Sequence, residues 1–184
     1  MNLTAPEVLS RPIIQVQETA AITQPTGRIR PRIDGLVSSY FEWMGAGQYQ
    51  IAQRGGAMHG KRFIFSLIQF GIDGEKLYLR VDFVPGAEEI LKTGELRCTL
   101  RSGGEDQRAL IRLSATRDTV KLEPGGAFVD WAANSILELA IPLGKGHEGG
   151  PFDLCLSIWK DGLPVDAVPQ QGWLTIAAES TWAD

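Results

Sequence analysis

The sequence has no long apolar run and no excess of basic residues. None of its apolar runs approaches the ~20 residues that a transmembrane helix needs. Residues 1–15 have neither the basic start nor the apolar core of a signal peptide. The net charge is -4, whereas proteins that bind nucleic acid through phosphate contacts carry clustered Lys and Arg. We therefore predict a cytoplasmic protein that binds neither a membrane nor a nucleic acid.

Cysteine and histidine are scarce, and the familiar catalytic motifs are missing. The two cysteines, Cys98 and Cys155, lie in separate strand-like runs, and we expect reduced thiols rather than a disulfide. The two histidines, His59 and His147, are far apart, and the sequence shows no closely spaced cluster of metal-binding residue types. It has neither a GxSxG motif nor a glycine-rich phosphate loop that opens a helix. We expect no metal, no cofactor and no catalytic residue.

Turn-forming residues are abundant by contrast. Twenty-one glycines and ten prolines separate short runs of alternating apolar and polar residues, which is typical of all-β proteins. The sequence of residues 1–27 indicates an extended N-terminal segment or linker, in which only residues 13–17 suit a strand. Residues 28–184 predict an antiparallel β-sandwich of about eight to ten strands, because half-buried strands need a second apolar face to cover them. Only residues 87–93 look helical, so we expect at most one or two short helices.

The clearest unit is a hairpin around Asp73-Gly74, a pair that favours a tight turn because glycine accepts a positive φ. The run before this turn is apolar on both faces, which predicts a strand in the middle of a sheet. After the turn, one face is apolar and the other, with Tyr78, Arg80 and Asp82, is polar; we expect the polar face to be solvated. The residues predicted to face the core in this strand and in four later ones are Leu77, Leu79, Val81, Phe83, Leu96, Cys98, Leu100, Ala109, Ile111, Leu113, Leu137, Leu139, Ile141, Leu143, Phe152, Leu154, Leu156 and Ile158.

Large apolar side chains crowd into residues 31–47, PRIDGLVSSYFEWMGAG. Aromatic rings bind sugars by stacking on their C–H surfaces, and polar side chains fix the hydroxyls. The candidate ligand-binding residues are Tyr40, Glu42, Trp43, Tyr49 and His59. If the stretch is extended, Tyr40 and Glu42 share one face, and Phe41 and Trp43 share the other. The alternative to a ligand role is that Phe41 and Trp43 close the core while Tyr40 lies at its rim.

Residues 31–49, together with residues 54–60 (RGGAMHG) and 70–83 (FGIDGEKLYLRVDF), resemble the region C-terminal to the catalytic barrel in bacterial glycoside hydrolase family 57 proteins. Those are cytoplasmic enzymes and enzyme-like proteins of α-glucan metabolism. The resemblance covers roughly residues 28 to 177. Later strands such as residues 137–143 (LELAIPL) more generally resemble β-sandwiches of the carbohydrate-binding module family 9 and DOMON type. The catalytic residues of family 57 belong to an N-terminal barrel that these residues do not contain, so none carries over.

The resemblance implies a non-catalytic accessory domain that binds an α-glucan or oligosaccharide near an enzyme. The alternative is a structural domain that packs on a catalytic glycoside hydrolase partner and has no ligand of its own. A small hydrolase would need two carboxylates in one cleft. The carbohydrate-binding function predicts exposed, coplanar aromatic rings beside a groove, whereas the packing function predicts an exposed apolar patch of roughly several hundred Å².

Overall fold

The computed structural model describes residues 21–51, 63–144 and 150–177. These residues form twelve antiparallel strands in two sheets, one short α-helix and one 3₁₀ helix. The predicted all-β sandwich is confirmed, with more strands than the eight to ten expected. The strand predicted at residues 13–17 lies outside the described residues, and so do both histidines.

The strands follow one another along most of the described chain. In chain order they are β1 (Ala21–Thr23), β2 (Gly47–Gln50), β3 (Phe65–Ile72), β4 (Lys76–Phe83), β5 (Glu95–Ser102), β6 (Glu105–Arg112), β7 (Arg117–Lys121), β8 (Phe128–Ala133), β9 (Leu137–Pro142), β10 (Phe152–Lys160), β11 (Leu163–Val168) and β12 (Leu174–Ile176). The 3₁₀ helix is Tyr40–Trp43, and the helix α1 is Glu88–Thr93, as predicted. Within the described ranges, no helix combines the length and the apolar character needed to cross a bilayer.

The two sheets pack face to face around the main core. The larger sheet has the order β1-β2-β3-β4-β9-β8-β7, and the smaller has the order β11-β10-β5-β6 with β12 also paired to β10. The alternation predicted for five strands is confirmed, because their inward side chains form this core. Of those residues, Phe83 and Leu143 are only partly buried. Full burial of a Leu, Ile or Phe side chain contributes about 1.5–3 kcal/mol to stability.

The predicted hairpin is formed by β3 and β4. Gly74 has a φ of +92°, and the Asp73 carboxylate oxygen Oδ1 accepts the backbone N–H groups of Glu75 at 3.1 Å and Lys76 at 3.0 Å. β3 lies between β2 and β4, so its predicted place inside a sheet is also confirmed. The turn residues fix this hairpin because Gly74 supplies the backbone conformation and Asp73 satisfies the turn amides.

The outer face of the larger sheet is covered by residues 28–46, which we call the covering segment. The polar face predicted for β4 is therefore not solvated: Tyr78 is buried in a second, smaller core. That core consists of Ile29, Ile33, Trp43, Tyr78, Ala132 and Ala140. Ile29 and Ile33 alternate with the exposed Arg30 and Arg32, so the segment packs one side on the sheet and turns the other to solvent.

Four strands were not predicted. β8 has no clear polar face, because Trp131 enters the main core and Ala132 enters the second core. β11 contains Pro164, which argues against a strand in sequence. β1 and β2 have only three and four residues, which is too short for an alternation to be recognised.

Candidate functional site

The aromatic stretch is a turn of 3₁₀ helix rather than an extended strand. Ser39 caps it, since its hydroxyl oxygen accepts the backbone N–H of Phe41 at 3.2 Å. Phe41 is 72% exposed. The expectation that Phe41 closes the core is therefore wrong, because the helical turn carries its side chain outward.

The structure separates the five predicted ligand residues. Trp43 is 5% exposed and Tyr49 is 7% exposed, so neither ring offers a face for stacking on a sugar. Tyr49 lies in the main core, and Trp43 lies in the second core. Tyr40 is 82% exposed and Glu42 is half-buried, so these two reach the surface. His59 lies outside the described residues.

Trp43 is held in place by a buried carboxylate on β9. Its indole Nε1 donates a hydrogen bond to Oε1 of Glu138 at 3.2 Å. The other oxygen, Oε2, accepts the backbone N–H groups of Asp34 and Gly35, each at 2.9 Å. Burial raises the pKa of Glu138, and the three hydrogen bonds oppose that rise. Glu138 therefore fastens both ends of the PRIDG…YFEW stretch to the sheet, which gives that motif a structural role.

A second contact ties the covering segment to the β3–β4 turn. Oδ2 of Asp73 accepts hydrogen bonds from the Tyr78 hydroxyl at 2.8 Å and from Arg30 Nε at 3.0 Å. Burial, together with the Asp73 carboxylate, raises the pKa of Tyr78 to about 12. Burial alone would raise the pKa of Asp73, but the hydrogen bonds from Arg30 and Tyr78 hold it below its usual value.

Five apolar side chains of the covering segment remain exposed, and we call them the apolar patch. They are Leu36, Val37, Tyr40, Phe41 and Met44. The rings of Tyr40 and Phe41 lie 5.9 Å apart between centroids and at 80° to each other. These rings are perpendicular, so they do not form the flat stacking surface that the carbohydrate-binding prediction requires.

The outer face of the smaller sheet carries arginines stacked on tryptophans. The guanidinium carbon of Arg97 lies 3.7 Å from the ring centroid of Trp159, and that of Arg101 lies 4.1 Å from that of Trp173. The indole Nε1 of Trp159 donates to the Ser157 hydroxyl at 2.9 Å. We call this surface the arginine face.

A groove of about 1050 Å³ opens on the arginine face. Its floor has Arg97, Thr99, Arg108, Leu110 and Ser157, and its side is formed by Lys121 and residues 123–126. Arg97 and Arg101 therefore lie on a different sheet from the polar residues of β4. The sequence does contain a pattern that could have predicted this surface. Arginines occupy outward positions of β5 and β6, and Trp159 occupies an outward position of β10.

The two cysteines lie on neighbouring strands and point to opposite sides of the smaller sheet. Both are free, with Cys98 buried in the main core and Cys155 half-buried on the other face. Burial raises the pKa of Cys98 to about 12, with a smaller contribution from the nearby Cys155 thiol. Burial also raises the pKa of Cys155. Neither thiol is therefore activated as a nucleophile at neutral pH.

The buried carboxylates of the described chain serve structural roles. Asp166 holds the start of β3, since its Oδ2 accepts the N–H groups of Ile64 at 2.8 Å and Phe65 at 3.1 Å. Glu138 anchors the covering segment, as described above. Across residues 21–51, 63–144 and 150–177, no three His, Cys, Asp or Glu side chains come together in a way that suits a metal ion.

No family model, no curated protein and no solved structure matches this chain. The resemblance to family 57 therefore stays a prediction.

Proposed function

We propose that this chain is a non-catalytic accessory domain that packs on a catalytic partner through the apolar patch. The observation that carries the proposal is the exposure of five large apolar side chains within residues 36–44. Contiguous exposed apolar side chains mark interaction surfaces, and aromatic residues and Met are enriched in interfaces. The perpendicular rings of Tyr40 and Phe41 favour packing into a protein surface over stacking on a sugar.

The apolar patch sits on a preorganised support. Trp43 and Gly35, on either side of most of the patch, are both hydrogen-bonded to Glu138. A surface that is already ordered loses little conformational entropy on binding, which favours affinity.

Charge indicates what the partner surface looks like. Arg30 and Arg32 are exposed on the same segment. Arg32 lies next to the patch, because its Nε is 3.8 Å from the Asp34 carboxylate. The same carboxylate accepts the backbone N–H of Leu36 at 2.9 Å. Glu42 also reaches the surface of this segment, so we expect an apolar partner surface whose rim carries charges of both signs. The partner that the sequence resemblance implies is the catalytic domain of a family 57 glycoside hydrolase.

The test is binding of the purified chain to a purified family 57 catalytic domain from the same organism, measured by calorimetry. Phe41→Ala should weaken binding by about 30-fold, since a central aromatic residue in an interface contributes about 2 kcal/mol. Phe128→Ala is the matched control, because Phe128 is 61% exposed but lies on β8, outside the patch. Absence of a complex, or equal weakening by both variants, would refute the proposal.

Glycan binding at Tyr40 and Glu42 is the second candidate function. It is favoured by the 82% exposure of the Tyr40 side chain, because an exposed aromatic ring can stack on a sugar unit of an α-glucan or oligosaccharide. The experiment is titration with glycogen, amylose fragments and maltooligosaccharides, followed by heat. Saturable binding that disappears in Tyr40→Ala would support this function, and no binding to any of these glycans would reject it. Trp43→Ala is unsuitable as a probe, because Trp43 belongs to the second core.

A further inference from the structure

In the centre of the arginine face, the outward side chains of β5, β6 and β10 include no acid, although Glu123 pairs with Arg108 beyond the edge of β6. The strand register places Ser157, Arg97 and Leu110 side by side across β10, β5 and β6, and places Cys155, Thr99 and Arg108 in the next row. Carboxylates occur only in the flanking rows of these three strands, where the outward acidic residues are Glu95, Asp106 and Asp153. The two central rows therefore combine two cations with two hydroxyls.

Arg97 is positioned but incompletely paired. Its guanidinium lies against the Trp159 ring, and its Nη2 is 3.8 Å from Glu95 Oε2, which is beyond hydrogen-bond length. Its Nε is buried and has no hydrogen-bond partner in the described part of the chain. The Arg97 side chain is 41% exposed, so a ligand can reach its guanidinium group through the terminal nitrogens rather than through the buried Nε.

Arg108 is also only weakly engaged within the protein. Its Nη2 lies 3.7 Å from Asp106 Oδ2. Arg101, by contrast, donates hydrogen bonds to both oxygens of that carboxylate, at 2.6 Å and 3.2 Å. The turn beside the groove adds Lys121 and one acid, Glu123. The groove thus has three cations and one carboxylate, in a chain whose net charge is -4.

We propose that this groove binds a small polar molecule that carries a phosphate or carboxylate group. Arg97 and Arg108 bind the anion, since guanidinium groups recognise the oxygens of both groups through paired hydrogen bonds. Ser157 and Thr99 bind hydroxyls of the same molecule, and the volume of about 1050 Å³ is that of a small-molecule site. The groove lies on the smaller sheet and the apolar patch lies over the larger one, so the inference does not rest on the proposed function.

The test is calorimetric titration of the whole chain with glucose 6-phosphate, glucuronate and inorganic phosphate at constant ionic strength, with glucose as the neutral probe. Backbone amide chemical shifts locate the bound molecule. Glucose 6-phosphate and inorganic phosphate test the phosphate group, and glucuronate tests the carboxylate. We expect at least one anionic probe to bind saturably with shifts confined to β5, β6, β10 and residues 120–126, and glucose to bind at least tenfold more weakly.

Two variants on the same strand make the test specific. Arg108→Ala should weaken binding about tenfold, because a charge-assisted hydrogen bond contributes roughly 1.5 kcal/mol or more. Arg112→Ala should change the affinity less than twofold, since Arg112 is as exposed as Arg108 (79% against 72%) but does not line the groove. Both side chains are on the surface, so both variants are expected to fold. Binding of glucose as tight as that of the anions, equal weakening by the two variants, or no binding of any anionic probe would overturn the proposal.

Discussion

Glu138 shows how one residue decides the role of a motif. Its side chain accepts three hydrogen bonds from residues about a hundred positions earlier in the chain. A carboxylate with three donors satisfies amides that would otherwise be buried without partners. The PRIDG turn and the YFEW helix are therefore fixed by a residue that neither motif contains.

Glu138→Gln should destabilise the protein by roughly 1–3 kcal/mol, because a single amide oxygen replaces two acceptor oxygens and the amide N–H₂ faces a donor. The loss should also depend on pH. Burial raises the pKa of Glu138 above its ordinary value of 4.5, so the folded state holds this proton more tightly than the unfolded chain does. The stability that Glu138 contributes is then complete below pH 4.5 and falls as the pH rises through the raised pKa.

Urea unfolding of both proteins between pH 4 and 7 measures this difference. The free-energy advantage of the natural protein over Glu138→Gln should shrink as the pH rises above 4.5. An advantage that grows with pH would contradict the direction of the pKa shift.

At the residue scale, sequence patterns located the aromatic cluster but did not assign its members. The alternative that Trp43 belongs to a core agrees with the structure, whereas the same expectation for Phe41 does not. Trp43 is buried and Phe41 is exposed because of the 3₁₀ turn and the hydrogen bond to Glu138. Neither feature can be recognised from the residues around position 40 alone. Likewise, the outward direction of Tyr78 followed from alternation, but its burial depends on Ile29 and Trp43, which arrive from elsewhere in the chain.

At the scale of elements, strands with one polar face were predicted well and the others were missed. β4, β5 and β10 alternate because one face meets the main core, and that pattern is visible in sequence. β8 contributes to both cores, so its two faces are alike. The covering segment has little regular structure, and it is ordered by tertiary contacts that sequence windows do not capture.

Gly71 on β3 is a point of close contact between the sheet and the covering segment. A Cβ atom at Gly71 would lie 2.5 Å from Cγ1 and 2.6 Å from Cδ1 of Ile29. Gly71→Ala should therefore cost about 1–3 kcal/mol by overpacking. Gly27→Ala is the control, because a Cβ there meets nothing within 4 Å, and its effect should stay within about 0.5 kcal/mol.

The double variant Ile29→Ala/Gly71→Ala tests the mechanism by chemical denaturation. Removing the Ile29 side chain relieves the clash, so the two changes should destabilise less together than the sum of their separate effects. Strict additivity of the two free-energy changes would show that the cost at Gly71 has another source.

At the scale of the whole molecule, the two cores differ in size. The main core includes side chains from both sheets, whereas the second core has six buried residues and one layer of chain above it. Regions with few buried contacts open at lower free energy than the main core. The covering segment is therefore expected to detach while the sandwich stays folded.

Native-state hydrogen exchange in low denaturant tests this order of opening. Amides of the covering segment, including those of Asp34 and Gly35, should exchange at a lower opening free energy than amides of β9. Glu138→Gln should lower the opening free energy of the covering segment more than that of β9. Equal opening free energies for the two regions would mean that both cores unfold as one unit.

The distance in sequence between Gly35 and Glu138, 103 residues, also has a consequence for synthesis. The covering segment leaves the ribosome before β4, β8 and β9, which supply the surface that it covers. At a synthesis rate of roughly 5–20 residues per second, about 5–20 s pass between the synthesis of Gly35 and that of Glu138. During that interval Ile29, Ile33 and Trp43 have no native surface to cover them, so the nascent chain is most exposed to misassociation before β9 emerges.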